Sequence, residues 1–287
     1  MVLAGYLLLV VQIALSVVTE LLRRKIAVEA GHLAAPLSAA AYLVQVVIGA
    51  ALLLVIGVDI IFSWRIALVV TLLAISPPLR EFLQFRANEK VDAGSLAILL
   101  NLTTVFTIGF AGILLDDVLS RTELIGTLLI LIGAWLVARL ASKGTGFTLI
   151  LILLVAPLIF LDSSSNLGEA WFIDEYSLSL YLFYGLAAQA FWALVIMWIR
   201  KVSFNGLTNP VTRQPVTWYI LTRATKGIMF LGAIALLDSI ATVKAILAVT
   251  PVAITIAAYF ALKEQDNIKT KLAAAAIASA GLIVFAI

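Results

Sequence analysis

Long apolar stretches separated by short polar breaks run through almost the whole chain. A helix that crosses a bilayer needs roughly 20 predominantly apolar residues. By that measure the candidate spans are 2–22, 34–57, 66–86, 93–115, 122–141, 146–162, 177–199, 217–237, 241–262 and 269–287. No alternation of apolar and polar residues, as in the strands of a barrel, competes with these stretches. The pattern predicts an all-α fold, a polytopic membrane bundle of ten transmembrane helices.

An internal repeat relates the two halves of the chain. Sliding the sequence against itself aligns 79–138 with 227–286 without a gap. Identical residues meet in this alignment, among them Thr107 with Thr255 and Gly133 with Gly281. We therefore predict a first five-helix repeat at 1–141 and a second at 146–287. Because five is odd, the second repeat must cross the membrane in the opposite sense, as in the inverted repeats of secondary transporters.

Composition places most of the chain in lipid. Hydrophobic residues make up 63% of the sequence and charged residues only 12%, whereas a soluble domain has about 45–50% apolar and about 25% charged residues. So few charges cannot cover a water-exposed surface, so the bilayer must be the solvent for most of the chain. The first stretch, 2–22, lacks both a basic leading segment and a small-residue cleavage site, which predicts a retained helix and not a signal peptide.

Several functions are excluded by residue types and motifs that the sequence lacks. There is no cysteine, so there is no disulfide, thiolate metal site or catalytic thiol. The basic residues form no Arg-rich stripe, so no nucleic-acid partner is expected. No P-loop, nucleophile elbow or His-Glu-x-x-His motif occurs. We expect no cofactor, no metal and no enzymatic activity; an intramembrane enzyme with sparse acidic residues is the alternative of another class.

Recurring motifs give the chain a family resemblance. They are the runs Phe85-Arg86-Ala87-Asn88-Glu89-Lys90 and Asn101-Leu102-Thr103-Thr104, the acidic turn Asp116-Asp117, and Gly126 and Gly133, followed in the second half by Ala248-Val249-Thr250-Pro251-Val252, Lys263-Glu264 and Gly281. In these motifs the chain resembles the EamA-like permeases of the drug/metabolite transporter superfamily. The resemblance implies ten helices, a central cavity and transport without ATP. Sequences with this fold export amino acids and other metabolites, and relatives exchange nucleotide sugars or phosphorylated sugars.

Charged residues inside the predicted spans are the strongest candidates for a binding site. Each costs roughly 2.5–3.5 kcal/mol to insert at a helix centre, so it marks function by default. Arg80 and Glu81 lie deep in the third span with Gln84 on the same face, and Arg223 and Lys226 lie at similar depth in the eighth. We expect Arg80, Arg223 and Lys226 to face a shared cavity and bind an anionic group. Glu81 is then their partner or a proton carrier. The alternative is a structural Arg80–Glu81 cluster, with the two basic residues of the eighth span reaching to the interface.

Uncharged polar residues in other spans are further candidates for substrate binding. Gln12 and Ser16 are four residues apart, so they share one face of the first span, where they line a cavity or form a packing seam. The other candidates lie at matching depths of the fourth and ninth spans or begin the ninth: Asn101, Thr104, Thr250 and Lys244.

The repeat and the buried charges together predict a secondary transporter. It moves a small polar, anion-bearing metabolite through a central cavity by alternating access. An exchanger of nucleotide sugars or sugar phosphates is the alternative within transporters, and net positive charge in the cavity would favour it. The expected partners are the small-molecule substrate and the lipid bilayer, and a homodimer stays open. We expect an integral, multi-pass protein of a prokaryotic inner membrane.

Membrane orientation stays open at this point. An even number of spans puts both termini on one side, and the family resemblance puts that side in the cytoplasm. Basic residues concentrate instead in alternate loops beginning with Arg23-Arg24-Lys25, which the positive-inside rule places in the cytoplasm with both termini outside. The substrate, the coupling ion and the direction of transport are also left undetermined.

Overall fold

Helices and short connections form the part of the chain that the structure describes. The computed structural model describes residues 2–56, 63–103, 105–106, 121–141, 151–208, 213–237, 243, 246–247 and 249–285, and no strand occurs in these ranges. The helices are α1 (Val2–Ala30), α2 (Ala34–Ile56), α3 (Trp64–Leu73), α4 (Ser76–Lys90), α5 (Ala93–Leu100), α6 (Arg121–Ala141), α7 (Ala156–Glu175), α8 (Leu178–Ile199), α9 (Arg213–Leu237), α10 (Thr250–Ala261) and α11 (Ile268–Phe285). A turn of 3-10 helix, Gly31–Leu33, joins α1 to α2, and a π-helical turn, Tyr181–Gly185, lies within α8.

Proline and a capping aspartate fix where two of the central helices begin. The first turn of α4 contains Pro77 and Pro78, which are tolerated there because the first amides of a helix have no partner within it. Asp92 precedes α5, and its side chain accepts a hydrogen bond from the Ser95 amide at 2.8 Å. Such a cap satisfies one of the unpaired amides of the helix start. The double proline therefore starts α4, and the polar side chains of Glu81, Gln84 and Asn88 that follow it are buried.

The outer surface of the protein is apolar. Leu54, Val55, Trp198 and Phe260 are between 75% and 88% exposed. The buried positions, by contrast, include glutamine, glutamate, asparagine and arginine side chains. A water-soluble protein does not combine such an apolar exterior with a polar interior, whereas helices surrounded by lipid do.

Four helical segments are long and apolar enough to cross a membrane, and this corrects the prediction of ten transmembrane helices. Within the described residues they are Leu3–Val55, Trp64–Lys90, Leu178–Ile199 and Arg213–Leu237, with Leu124–Val137 and Thr250–Ala261 as shorter apolar helices. The prediction was wrong because it counted each apolar stretch between two polar breaks as one span. The count of five spans in each of two inverted repeats is overturned with it.

The basic triplet 23–25, which was predicted to separate the first two spans, lies inside α1. Arg23 Nη2 donates to Glu81 at 2.6 Å, and Arg24 Nε donates to Glu264 at 3.1 Å. Carboxylates from distant parts of the chain thus pair with these charges where they lie, so the helix does not end at them. A charged break in the sequence was therefore a poor marker of a helix end in this protein.

Helices from the two predicted halves pack directly on each other. α1 packs on α9, α2 on α8 and α9, α5 on α10, and α6 on α11. In the last pair the backbones approach closely, because a Cβ at Gly133 would lie 2.8 Å from the carbonyl oxygen of Ala274. The division into 1–141 and 146–287 stays a prediction, and the junction at 142–150 lies outside the described residues.

Candidate functional site

A polar cavity lies between α1, α4, α7 and α9. Its volume is about 210 Å³, and a second cavity of about 190 Å³ shares wall residues with it. The polar residues on the wall of the first cavity are Gln12, Ser16, Glu20 and Arg23 of α1, Gln45 of α2, Arg80 and Gln84 of α4, Asp162, Asn166 and Glu169 of α7, Gln189 of α8, and Arg223 and Lys226 of α9. A cavity with convergent polar groups inside a helical bundle is the default location of a binding site.

One face of α1 forms a polar wall of this cavity. Gln12, Ser16, Glu20 and Arg23 follow one another at spacings of four, four and three, which keeps them on one side of a helix. Gln12 and Ser16 are only 6% and 7% exposed. The structure thus places both candidates from the predicted first span on the cavity wall, and not in a dry seam between helices.

Glu81 lies behind the cavity wall and holds two arginines. Its side chain is 1% exposed. It accepts hydrogen bonds from Arg23 Nη2 at 2.6 Å and from Arg223 Nε at 2.8 Å, and the Tyr219 hydroxyl also donates to it. We call these four residues the Glu81 cluster. With three donors on its carboxylate, Glu81 positions the arginines and is not itself exposed to a solute.

Aromatic rings hold the two guanidinium groups of the Glu81 cluster in place. The Cζ atom of Arg223 lies 5.1 Å from the ring centre of Tyr42, and its Nη2 donates to the Tyr42 hydroxyl at 3.0 Å. The Cζ atom of Arg23 lies 5.7 Å from the ring centres of both Phe85 and Tyr219. Cation–π contacts of this kind are strongest where water is excluded, so the rings add to the ion pairs in fixing the two arginines.

Arg80 pairs with α7 and not with its sequence neighbour Glu81. Its Nη1 donates to Asp162 Oδ1. Its Nε is buried and has no hydrogen-bond partner among the described residues. A buried donor without a partner is costly, so a small movement of Arg80 toward an anionic solute would gain an interaction. The structure therefore does not support the alternative of an Arg80–Glu81 cluster.

Lys226 is the most loosely held of the cations at the cavity. Its Nζ lies 3.6 Å from Glu20 Oε1, which is beyond hydrogen-bond distance. Glu20 accepts instead from Arg23 and, at 3.2 Å, from Gln84 Nε2. Lys226 lies on the walls of both cavities. Its ammonium group makes no hydrogen bond to a described residue and therefore has donors available to a solute.

The second cavity adds uncharged polar groups beside Lys226. Asn101 and Thr250 lie on its wall together with Gln12 and Ser16. Asn101 Nδ2, Thr250 Oγ1 and Gln12 Oε1 are buried and have no hydrogen-bond partner among the described residues. Buried polar atoms are normally satisfied, so these three are suited to meet the hydroxyl or amide groups of a solute. The two remaining candidates, Thr104 and Lys244, lie outside the described residues.

Sequence reasoning missed several residues of this site. Arg23 was assigned to a loop, although it continues the stripe that runs along α1. The predicted span 146–162 ended at Asp162, which left Glu169 in the stretch between two predicted spans. Asp162 and Glu169 are seven residues apart, or two turns of a helix, and both face the cavity from α7. The helical spacing of these acidic residues was the signal that could have revealed them.

Basic and acidic side chains balance each other in the described part of the cavity, so it lacks the net positive charge that would favour an exchanger of sugar phosphates. In the described part of the site the basic residues are Arg23, Arg80, Arg223 and Lys226, and the acidic ones are Glu20, Glu81, Asp162 and Glu169. Four formal positive charges thus meet four carboxylates. No group of three or more His, Cys, Asp or Glu side chains suited to a metal ion occurs in the ranges that the structure describes.

Comparison with known proteins reveals a shared fold. No family model and no curated protein matches the sequence. Among solved structures, one described only as "Crystal structure of protein" superposes with a TM-score of 0.57 over 99% of this chain and 96% of that chain, at 18% sequence identity. A similarity at this level of identity shows the fold alone.

Proposed function

We propose that this chain is a multi-pass membrane transporter that binds a small polar, anion-bearing metabolite in the central cavity. In this proposal it moves the metabolite by alternating access without ATP, as an EamA-like member of the drug/metabolite transporter superfamily in a prokaryotic inner membrane. Four helical segments with the length and apolar character of membrane spans support the membrane location. Charged side chains inside such a protein are expensive to keep, and a solute pathway is the usual reason for them.

The observation that carries the proposal is that two cations on the cavity wall have unused hydrogen-bond donors. Glu81 holds Arg23 and Arg223 by hydrogen bonds. By contrast, Lys226 has no hydrogen bond to a described residue, and Arg80 Nε has no partner among the described residues. Wall cations with unused donors would bind a carboxylate or phosphate oxygen, because charge-assisted hydrogen bonds are about twice as strong as neutral ones.

The second cavity favours an exchanger of nucleotide sugars or sugar phosphates as the second candidate. Its unpartnered Asn101 and Thr250 atoms lie beside Lys226, so one solute could place an anionic group on the lysine and hydroxyl groups on these two residues. A free amino acid has no sugar hydroxyl groups to place on these two residues. Comparing the two classes of compound therefore tests which candidate holds.

A thermal-shift screen on the purified protein tests the proposal. The probes are amino acids, sugar phosphates and nucleotide sugars, and we expect at least one class to raise the melting temperature. Lys226→Gln and Arg80→Ala should weaken that binding about tenfold or more, since each loses a charge-assisted contact worth about 1.5–3 kcal/mol. Arg86→Ala is the matched control. Arg86 lies on α4 but not on the cavity wall, and its Nη1 lies 2.7 Å from Glu89 Oε1.

Flux of the binding compound into proteoliposomes then separates transport from other activities. A transporter moves the compound intact, whereas an intramembrane enzyme changes it in detergent without any vesicle. Unchanged binding and flux in both the Lys226 and the Arg80 variants would disprove the proposed site. Chemical turnover of the compound would disprove transport.

A further inference from the structure

Glu169 lies on the cavity side of α7, and its hydrogen-bond partners among the described residues are all neutral. Its Oε1 accepts hydrogen bonds from Ser165 Oγ at 3.3 Å and from Gln189 Nε2 at 3.2 Å. The same Gln189 nitrogen donates to the Tyr181 hydroxyl at 2.7 Å, which brings that phenol beside the carboxylate. The Glu169 side chain is thus held by a hydroxyl, an amide and a phenol.

This environment sets Glu169 apart from the other carboxylates of the site. Glu20, Glu81 and Asp162 each form an ion pair with a basic side chain. Within the described ranges, no basic nitrogen lies within 4.0 Å of the Glu169 carboxylate. The charged groups that face it from other helices, Arg80 of α4 and Arg223 of α9, act on it only at longer range.

A carboxylate in this position is well placed to bind a proton. Removal from water destabilises the ionised form, and this cost is only partly offset, by Arg80 and Arg223 at longer range and by hydrogen bonds from Tyr181 and Ser165. The phenols that face Glu169, Tyr181 of α8 and Tyr42 of α2, carry no charge when protonated and do not replace a cation. Ser165 and Gln189 keep the side chain in the same place whether or not it is ionised.

We propose that Glu169 is the proton-binding site that couples transport by this protein to a proton gradient. The inference rests on the proposed function and names the coupling ion of the same cavity. One proton from the aqueous side joins the ionised carboxylate to give the neutral acid, and the same proton leaves when the cavity opens to the other side. No other bond forms or breaks.

Protonation of Glu169 changes the charge that an anionic solute meets. Among the described residues at or directly behind the cavity wall, the basic and acidic groups balance when Glu169 is ionised. When Glu169 is neutral, four cations remain against three carboxylates. The cavity then carries one more unit of positive charge and binds an anion more tightly. By thermodynamic reciprocity, a bound anion also favours protonation of Glu169, so proton and anion travel together.

Infrared spectroscopy of the purified protein tests the proton site without any solute. We expect a carboxylic-acid carbonyl band that persists from acidic pH toward neutral pH in the unmodified protein and loses intensity in the Glu169→Gln variant. Glu175→Gln is the matched control, since Glu175 ends the same helix on the exposed surface, and it should keep the band. A band of equal size and pH dependence in the Glu169→Gln protein would overturn the assignment.

Binding of a hexose phosphate at mildly acidic and at neutral pH tests the coupling. In the unmodified protein we expect binding to weaken about five-fold or more as the pH rises, a range typical of coupled sites. The Glu169→Gln variant mimics the neutral acid, so it should bind tightly at both pH values, whereas Glu175→Gln should behave as the unmodified protein. An unchanged pH dependence in Glu169→Gln would refute the coupling.

The two experiments fail in different ways. If the hexose phosphate does not bind at any pH but the infrared band behaves as expected, the proton site stands and the proposed substrate class is wrong. If the phosphate binds and depends on Lys226 but the infrared band is unaffected by Glu169→Gln, the transport proposal stands and the proton site is wrong.

Discussion

Glu81 and Glu169 are two glutamates inside the same helical bundle, each beside a tyrosine, and their surroundings differ. Glu81 contacts two arginines and Tyr219 behind the cavity wall. Glu169 contacts Ser165 and Gln189 on the cavity wall and touches no cation within the described ranges. The comparison teaches that the interior location of an acidic residue does not define its role. The charge of its partners decides whether it is fixed as an anion or left free to exchange a proton.

The largest expected effect comes from breaking the Glu81 cluster. Glu81→Gln leaves Arg223 buried without a counter-charge and takes from Arg23 one of the two carboxylates that it contacts, which should cost about 3–5 kcal/mol of unfolding free energy. Denaturant unfolding of the detergent-solubilised protein measures this. Glu89→Gln on the same helix is the control and should change stability by less than about 1 kcal/mol, because Glu89 forms only a partly exposed pair with Arg86. Equal stability of the two variants would contradict the structural role of Glu81.

A smaller effect is expected from removing the tyrosine hydroxyl beside each glutamate. Tyr219→Phe deletes a donor to an ionised, buried carboxylate and should cost about 1.5–3 kcal/mol. Tyr181→Phe deletes a hydroxyl that accepts a hydrogen bond from the uncharged Gln189 side chain. The loss of this neutral hydrogen bond should cost about 1 kcal/mol of unfolding free energy. The same unfolding assay gives both values. If Tyr181→Phe were the more damaging change, the two surroundings would not differ as described.

The Glu169→Gln variant should be close to the unmodified protein in stability. The amide oxygen of glutamine can accept the bonds from Ser165 and Gln189, and no buried cation loses its partner. We expect a change of less than about 1 kcal/mol, measured in parallel with Glu81→Gln. A loss as large as that of Glu81→Gln would mean that Glu169 is an ionised structural anion.

The smallest effect concerns Glu264, a third carboxylate, in the connection between α10 and α11. Burial and the nearby Asp92 carboxylate raise the pKa of Glu264 above its ordinary value of 4.5, although Arg24 and the Ala93 amide contact it. The folded state therefore binds a proton more readily than the unfolded state, and this group lowers stability as the pH rises above 4.5.

Glu264→Gln should flatten that part of the stability profile. Melting temperatures measured from acidic to neutral pH give the test, with Glu29→Gln as the control because Glu29 lies on the exposed surface of α1. A profile that rises with pH in the unmodified protein and flattens in Glu264→Gln would contradict the sign of the effect.

Sequence reasoning located part of the site because local spacing carries the information. The spacing of Gln12 and Ser16 placed them on one helix face, and both line the cavity. The cost of charge in apolar segments picked out Arg80, Arg223 and Lys226, and all three reach that cavity. Arg23 escaped because a run of basic residues between apolar stretches normally marks a helix end, whereas here distant carboxylates pair with it.

The sequence by itself determined that the chain is helical and apolar, and which residues share each helix face, because the 3.6-residue period is a local property. Only the tertiary structure decided which helical segments qualify as membrane spans, and which charges pair. Glu81 meets Arg23 across 58 positions of the chain and Arg223 across 142. Contacts over such separations depend on how the helices pack, so they separate a fixed anion at Glu81 from a proton site at Glu169, two glutamates that local sequence patterns do not distinguish.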